Sequence, residues 1–207
     1  MTSIIKVDNI QNTSGDNIIN ESSGTITVGA SGDTISIPSG AIITNNGTAT
    51  GFGGGKIGQV LSTHTNSTSF TTSSSTLVDV TGLAVSITPS ATSSKVLIIC
   101  NFSGGAGGTV RWFLGCKRGS TAIAPSDALS LQIDNVICGI EHEGTNSLSH
   151  ASFNFLDSPN TTSATTYQLT GCAEGGSTFY VNRSSGDADS STVARGSSSI
   201  TVMEVLA

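Results

Sequence analysis

Short apolar segments alternate with glycine-led polar turns through the first quarter of the chain. The turn glycines fall at positions 15, 24, 32, 40 and 47, with spacings of 9, 8, 8 and 7 residues. The β-branched residues between these turns are Ile18, Ile26, Val28, Ile35, Ile37, Ile42 and Ile43. A repeat this short cannot bury its apolar side alone, whereas stacked repeats, or the same strip from other chains, can. The pattern predicts a β-structured fibre shaft, and with it a structural or attachment role.

After this repeat, from residue 57 onward, aromatic residues enter and runs of alternating apolar and polar positions recur between Gly, Pro, Ser and Asn. Strands are predicted near 57–63, 67–72, 76–80, 83–88, 95–103, 109–118, 147–156, 164–173, 177–183 and 198–206. The last one is apolar on both faces, which is typical of a central strand or of a strand at a subunit interface. We therefore predict an all-β chain, with a β-sandwich or jelly-roll head of about eight to ten strands.

These patterns divide the chain into three predicted parts. Residues 1–14 form an apolar segment that we expect to dock on a larger particle, because an exposed apolar end usually marks an interface. Its candidate contacts are Ile4, Ile5, Val7 and Ile10. Residues 15–55 hold the shaft, expected to resemble a trimeric β-helix or β-prism, and a glycine-rich hinge. Residues 56–207 form the head.

Composition changes this picture little. Charged residues make up 11% of the chain, against about 25% in ordinary domains. Glycine occupies 25 of 207 positions, and the net charge is −6. Such a chain could be disordered, but the ordered alternation of β-branched residues favours strands. The absence of a Lys/Arg cluster argues against a nucleic-acid partner.

The first residues lack the basic start and long apolar run of a signal peptide. The densest apolar run, Val96-Leu-Ile-Ile-Cys100, is too short to cross a bilayer. We therefore expect cytoplasmic synthesis without membrane insertion. The cysteines stand singly, without a CxxC pair, which favours buried reduced thiols over disulfides or metal ligands. They are Cys100, Cys116, Cys138 and Cys172.

Catalytic and metal motifs are weak. The run Gly51-Phe-Gly-Gly-Gly-Lys56 lacks the first glycine and the final Ser/Thr of a phosphate-binding loop, so we interpret it as a hinge. Glu141-His-Glu143 with His150 lacks HEXXH spacing, so a solvated loop is favoured over a metal site. There is no Gly-x-Ser-x-Gly, and no pair of carboxylates stands out. We expect no enzymatic activity, no cofactor and no bound metal.

Recognition is expected in the charged loops of the head, residues 141–147 and 183–195. Charge inside a packed sandwich is costly, so these loops should face solvent at one end. Polar loops on a rigid scaffold can hydrogen-bond sugar hydroxyls while an aromatic ring offers a stacking face. The candidate residues are Arg183, Asp187, Asp189, Arg195, Tyr180, Glu141 and Glu143. The alternative that these loops are only solvated turns stays open.

Four stretches resemble fibre proteins of marine tailed bacteriophages, notably those that infect cyanobacteria and other oceanic bacteria. They begin Met1-Thr-Ser-Ile-Ile-Lys-Val-Asp-Asn-Ile, Thr25-Ile-Thr-Val-Gly-Ala-Ser-Gly-Asp, Thr50-Gly-Phe-Gly-Gly-Gly-Lys and Asp79-Val-Thr-Gly-Leu-Ala-Val-Ser-Ile-Thr-Pro. The resemblance covers residues 1–56 and about 76–98. It implies a homotrimeric virion fibre, docked on other virion proteins by its N-terminus, with the head outward. It offers no catalytic residues and leaves tail or capsid placement open.

Residues and resemblance together predict a non-enzymatic fibre in the virion, whose three heads bind a repeated host-surface glycan or protein through avidity. A purely structural virion component, such as a tail adaptor or capsid decoration, is the alternative. A polysaccharide depolymerase comes third.

Overall fold

The computed structural model describes residues 9–11, 13–15, 17–22, 24–28, 31–42, 56–123, 132–133 and 135–207. The chain divides into two compact units, Met1–Thr50 and Gly51–Ala207. The predicted docking residues Ile4, Ile5 and Val7 lie outside the described residues, as does the shaft residue Ile43.

The first unit contains a three-stranded antiparallel sheet in the order β1–β2–β3. Its strands are β1 (Asn9–Gln11), β2 (Asn17–Ser22) and β3 (Thr25–Val28). The repeat glycines Gly15, Gly24, Gly32 and Gly40 have φ of 90°, 81°, 95° and 85°. Side chains other than glycine rarely adopt this conformation, so the spacing of the glycines sets the spacing of the turns. The predicted turn role of these four residues agrees with their backbone geometry.

In the single chain, residues 31–42 contain turns at 31–32 and 39–40 and no strand. A strand requires a hydrogen-bonded neighbour, which the predicted shaft would supply from other copies. The β-structured shaft therefore stays a prediction for this segment.

The second unit is built from two antiparallel sheets. One has the order β10–β8–β12–β6, with β9 also paired to β8. The other has the order β4–β14–β7–β13–β5, with β11 also paired to β7. The first sheet contains β6 (Val78–Ile87), β8 (Arg111–Arg118), β9 (Thr121–Ala122), β10 (Cys138–Glu141) and β12 (Thr165–Ala173). The second contains β4 (Ile57–Thr65), β5 (Thr71–Thr72), β7 (Lys95–Ala106), β11 (Ser149–Asp157), β13 (Phe179–Val181) and β14 (Ser198–Val205).

The all-β prediction is confirmed, with two local corrections. The strands predicted at 76–80 and 83–88 form one strand, β6, because Gly82 does not end it. Gly82 has φ of 86° and lies where the pairing of β6 with β12 is irregular, as at a β-bulge. The side-chain amide of Gln168 donates to the carbonyls of Val80 and Leu83 there, at 2.8 and 3.1 Å. Strands β9 and β10 were not predicted, since both are short.

One hydrophobic core lies between the two sheets, formed by inward positions that alternate along each strand. Its fully buried members include Val80, Leu83, Ile98, Phe102, Trp112, Leu114, Tyr167, Leu169, Phe179, Ile200 and Val202. The rings of Phe102, Trp112 and Phe179 meet at centroid distances of 5.3, 5.6 and 6.0 Å. Two antiparallel sheets around one shared core are consistent with the predicted sandwich-like head. Among the described residues no helix is long and apolar enough to cross a membrane.

All four cysteines are free thiols, and Cys100, Cys116 and Cys172 are buried. Burial raises the pKa of Cys116 to about 12 and that of Cys172 to about 11. It also raises the pKa of the half-buried Cys138. The predicted burial of the thiols is therefore found at three of the four cysteines, and Cys138 is only half-buried.

A buried carboxylate, Glu204, faces inward from β14 and joins three parts of the head. It accepts hydrogen bonds from the Ser90 N–H and hydroxyl, both at 2.6 Å, and from the Gln59 amide at 2.9 Å. Burial opposes ionisation of Glu204, but these hydrogen bonds outweigh it and hold its pKa at about 2. The side chain thus links edge strand β4 and the turn before β7 to the last strand.

Candidate functional site

The two charged loops of the head lie against each other. The Gly186 N–H donates to the Thr145 carbonyl at 2.7 Å, and the Ser185 hydroxyl donates to the same oxygen at 3.2 Å. A Cβ at Gly186 would lie 3.0 Å from the Thr145 carbonyl oxygen, so glycine suits this close approach of the two backbones. Residues 141–147 and 183–195 therefore form one continuous surface, which we call the paired-loop surface.

The long loop begins at a buried asparagine, Asn182, in the left-handed conformation with φ of 58°. Its Nδ2 donates to the carbonyls of Thr65 and Ser67, each at 3.0 Å, and its Oδ1 accepts from the Ser198 hydroxyl at 2.7 Å. Asparagine suits this conformation better than most residues. One side chain thus joins the end of β4, the segment after it and the start of β14.

Backbone bonds close the same loop at its base. Arg183 and Arg195 form an antiparallel bridge. The Gly196 N–H donates to the Asn182 carbonyl at 2.9 Å, and the Asn182 N–H donates to the Ser103 carbonyl at 2.9 Å. The loop therefore leaves the sheet from a fixed base, which sequence reasoning missed. The sequence feature that could have indicated this base is an asparagine at the junction between a strand and a polar loop.

A two-pronged ion pair shapes the tip of the long loop. Nε and Nη2 of Arg195 donate to the two carboxylate oxygens of Asp187 at 2.8 and 2.9 Å. The hydrogen bonds from Arg195 lower the pKa of Asp187. Since the Arg195 side chain is 62% exposed, the pair orients the loop more than it stabilises the fold. It borders a cavity of about 310 Å³, lined by Asp187, Ala188, Asp189, Ser190, Val193 and Arg195.

Tyr180 and Arg183 meet at the root of this loop. The Arg183 guanidinium carbon lies 4.2 Å from the centroid of the Tyr180 ring, a cation–π contact. Arg183 also donates to the carbonyls of Thr68 and Ser184, each at 3.2 Å. One face of the Tyr180 ring is therefore covered by Arg183, and a sugar could stack only on the other face.

The two predicted acidic residues of the shorter loop have different surroundings. Glu141 ends strand β10 and lies 3.6 Å from Arg111, which is also 3.6 Å from Glu174. Glu143 is exposed within the paired-loop surface. The structure therefore groups Asp187, Asp189 and Arg195 around one cavity, and Glu141 belongs to an ion-pair cluster on strands β8 and β10.

The histidine between these two glutamates is not solvated, contrary to the prediction. His142 is 0% exposed, and neither ring nitrogen has a hydrogen-bond partner. A Cβ at Gly105 would lie 3.1 Å from its Cε1 and 3.2 Å from the Arg183 carbonyl oxygen. Both loop roots thus pack on Gly105 of β7. His142 directly follows the end of β10, and its N–H donates to the Val110 carbonyl at 3.0 Å, which holds it against the sheet.

We expect the stability of the head to decrease as the pH falls below about 6.5, the ordinary pKa of histidine. Burial lowers the pKa of His142, while the Gly144 backbone acts in the opposite direction. The folded chain therefore takes up this proton at a lower pH than the unfolded chain does, and stability is lost as the pH falls below the unfolded pKa toward the folded one. The loss is at most about 1.4 kcal/mol per pH unit for one proton.

Urea unfolding of the native chain and of His142→Phe between about pH 7.5 and 5 would measure this effect. The phenylalanine variant should lose the part of the pH dependence that belongs to His142. Parallel pH dependences in the two proteins would assign the effect to other groups.

A serine–histidine contact lies beside the base of the long loop. The Ser103 hydroxyl is 2.8 Å from Nδ1 of His150 and donates to the Ser197 carbonyl at 3.0 Å. A nucleophilic serine must reach its substrate, but Ser103 is only 3% exposed. The geometry of this contact therefore fits a structural role and not that of a catalytic nucleophile.

Two other large amphipathic rings of the head, Trp112 and Tyr167, are core residues and both are 0% exposed. The Tyr167 hydroxyl donates to Asp157 at 2.7 Å, and the Arg118 guanidinium donates to the same oxygen at 2.6 Å. Tyr180, by contrast, is partly exposed, so it can offer a ring face to a ligand.

Among the residues that the structure describes, no group of three or more His, Cys, Asp or Glu side chains could hold a metal ion. No protein-family model matches the chain, and no curated protein matches it.

Proposed function

We propose that this chain is a homotrimeric virion fibre protein, whose first unit forms a shaft with two other copies and whose second unit binds a host-surface glycan. The observation that carries this proposal is the exposure of the repeat's apolar residues. Ile26 is 69% exposed, Ile35 60% and Ile42 87%. Val28 and Ile37 are 47% and 46% exposed.

Burial of such a side chain contributes about 1.5–3 kcal/mol. In a single chain these side chains stay exposed to water and gain no such free energy. Contact with the same strips of other copies can bury them. The repeat offers the same apolar residue type every seven to nine residues, which suits an axis shared by parallel copies. We propose three chains, because three apolar strips arranged around a fibre axis can shield one another from water on all sides.

Ile10 supports the proposed docking role of the N-terminus. It is 46% exposed, although it lies in strand β1 of the small sheet. In the proposed fibre, this end contacts other virion proteins and the head lies at the opposite end. The head is proposed to be a sandwich whose paired-loop surface carries the receptor site.

Host recognition is assigned to the paired-loop surface because its charged groups are fixed and exposed together. The cavity beside Asp187 and Arg195 is bounded by carboxylate, guanidinium and hydroxyl groups, which can hydrogen-bond a sugar. Asn182 and the bridge between Arg183 and Arg195 hold the loop in place before binding, which lowers the entropic cost of recognition. Three copies would add avidity to a weak single site.

The proposal is tested by light scattering of the full chain, followed by binding to an array of bacterial surface polysaccharides. We expect a mass of three chains and binding to at least one array component. Asp189→Asn should weaken that binding by about tenfold or more, because three weakened sites multiply their effect. Asp79→Asn is the matched control, since Asp79 pairs with Lys117 outside the paired-loop surface.

A monomeric full chain would contradict the fibre proposal. A trimer that binds no array component would favour the purely structural virion role. Binding that Asp189→Asn leaves unchanged would remove the receptor site from this surface.

A further inference from the structure

The outer face of the second sheet carries an apolar patch that the core does not use. In the strand register, Val60 pairs with Met203, Met203 with Leu97, and Leu97 with Leu156, so these four form one row across four strands. Ile57 and Val205 lie beside this row on one side, and Ile99 lies on the other. We call these residues the outer apolar patch: Ile57, Val60, Leu97, Ile99, Leu156, Met203 and Val205.

The patch is accessible in the single chain. Ile57 is 46% exposed, Val60 54% and Leu156 44%, while the other four are partly buried. The opposite side of the same strands supplies core residues such as Ile98, Ile200 and Val202. Antiparallel sheets usually have one apolar and one polar face. An apolar row on the second face of four strands therefore marks a surface that another molecule covers.

The remainder of this face indicates what covers it. Within strands β4, β7, β11 and β14, the only Asp, Glu, Lys or Arg on the outer face is Lys95, at one corner. The other polar positions carry hydroxyl, amide or imidazole groups: Ser62, His64, Asn101, Ser103, His150, Ser152, Asn154, Ser199 and Thr201. Hydroxyls and amides both donate and accept hydrogen bonds, so two copies of this face can pair without charge repulsion. The face is thus complementary to itself.

We propose that the outer apolar patch is the surface through which the heads of three copies pack against each other. This inference rests on the proposed trimer. Lys56 is the single residue between Ile57 and the glycine-rich residues 51–55. Copies joined through their first units would therefore hold their heads close together. A short tether gives an effective concentration in the millimolar range, at which a modest apolar patch is sufficient for association.

The experiment uses the full chain carrying Leu156→Cys or, separately, Val60→Cys, labelled with a charged maleimide. Thr166→Cys is the control, since Thr166 is exposed on β12 of the other sheet. The native chain supplies the background, and each rate is divided by that of the urea-unfolded protein. If the heads are associated about 90% of the time, the two patch cysteines should react about tenfold more slowly than the control.

The variant Ile35→Asp/Ile37→Asp, which is designed to separate the chains, should remove this protection at both patch positions. Equal rates at the patch and the control in a trimeric chain would overturn the head interface and leave the trimer intact. Protection that persists in separated chains would also overturn it, because the chain's own residues would then cover the patch. A native chain that is monomeric would overturn both proposals.

Discussion

Asn182→Ala is expected to lower the free energy of unfolding of the head by about 3–5 kcal/mol. The alanine would leave the carbonyls of Thr65 and Ser67 and the Ser198 hydroxyl without their partner. A buried polar group that loses its partner costs about 1–3 kcal/mol. Alanine also fits a φ of 58° less well than asparagine, which adds about 1 kcal/mol.

Urea unfolding of the two proteins measures this loss. Asn160→Ala is the matched control, because Asn160 has φ of 53° and is exposed. The control should cost only the conformational part, about 1 kcal/mol. If Asn182→Ala costs no more than the control, the hydrogen bonds of Asn182 do not hold the base of the long loop.

Ile35→Asp/Ile37→Asp is expected to convert the proposed trimer into single chains. Both isoleucines are exposed in the isolated chain, so the substitutions should leave its own fold unchanged. In a trimer they would place six carboxylates at a shared apolar axis and remove about 1.5–3 kcal/mol of burial for each isoleucine. Burying unpaired charge there would cost more than the remaining contacts supply.

Light scattering at several protein concentrations gives the mass of each variant. The control Thr34→Asp/Ser36→Asp adds the same charge at the intervening polar positions, which are also exposed. That control should stay trimeric if only the isoleucine face is buried between chains. Dissociation of both variants alike would point to charge repulsion rather than to an isoleucine-lined axis, and a trimeric Ile35→Asp/Ile37→Asp would place the contact elsewhere.

Strand positions in the head could be predicted because period-two alternation is a local signal. The predicted strand at 198–206 corresponds to β14, and its inward residues Ile200 and Val202 are core residues. The signal failed where a glycine could mark either a turn or a bulge. The predicted strands at 76–80 and 83–88 place a break at Gly82, yet β6 continues through it because the Gln168 side chain on the neighbouring strand donates to the carbonyls of Val80 and Leu83.

The candidate site was predictable in composition but not in assembly. The charge of residues 183–195 marks a solvated loop, and Asp187 and Arg195 are eight positions apart on it. The contact of Gly186 with the Thr145 carbonyl joins segments about forty residues apart, which periodicity does not report. Burial of His142 and Glu204 also could not be predicted from the sequence. Whether an ionisable side chain can be buried depends on hydrogen-bond partners that are distant in sequence, and on whether such partners exist at all.

The four unpaired cysteines have a consequence for the covalent structure of the head. Their pKa values are raised by burial, so few thiolates are present at neutral pH to attack a disulfide or react with an oxidant. Stability therefore comes from non-covalent contacts, and no cross-link among these four thiols has to form or survive. The head can pass between a reducing cell interior and an aerated medium with the same bonds, and neither thiol reductants nor oxygen should alter its unfolding transition.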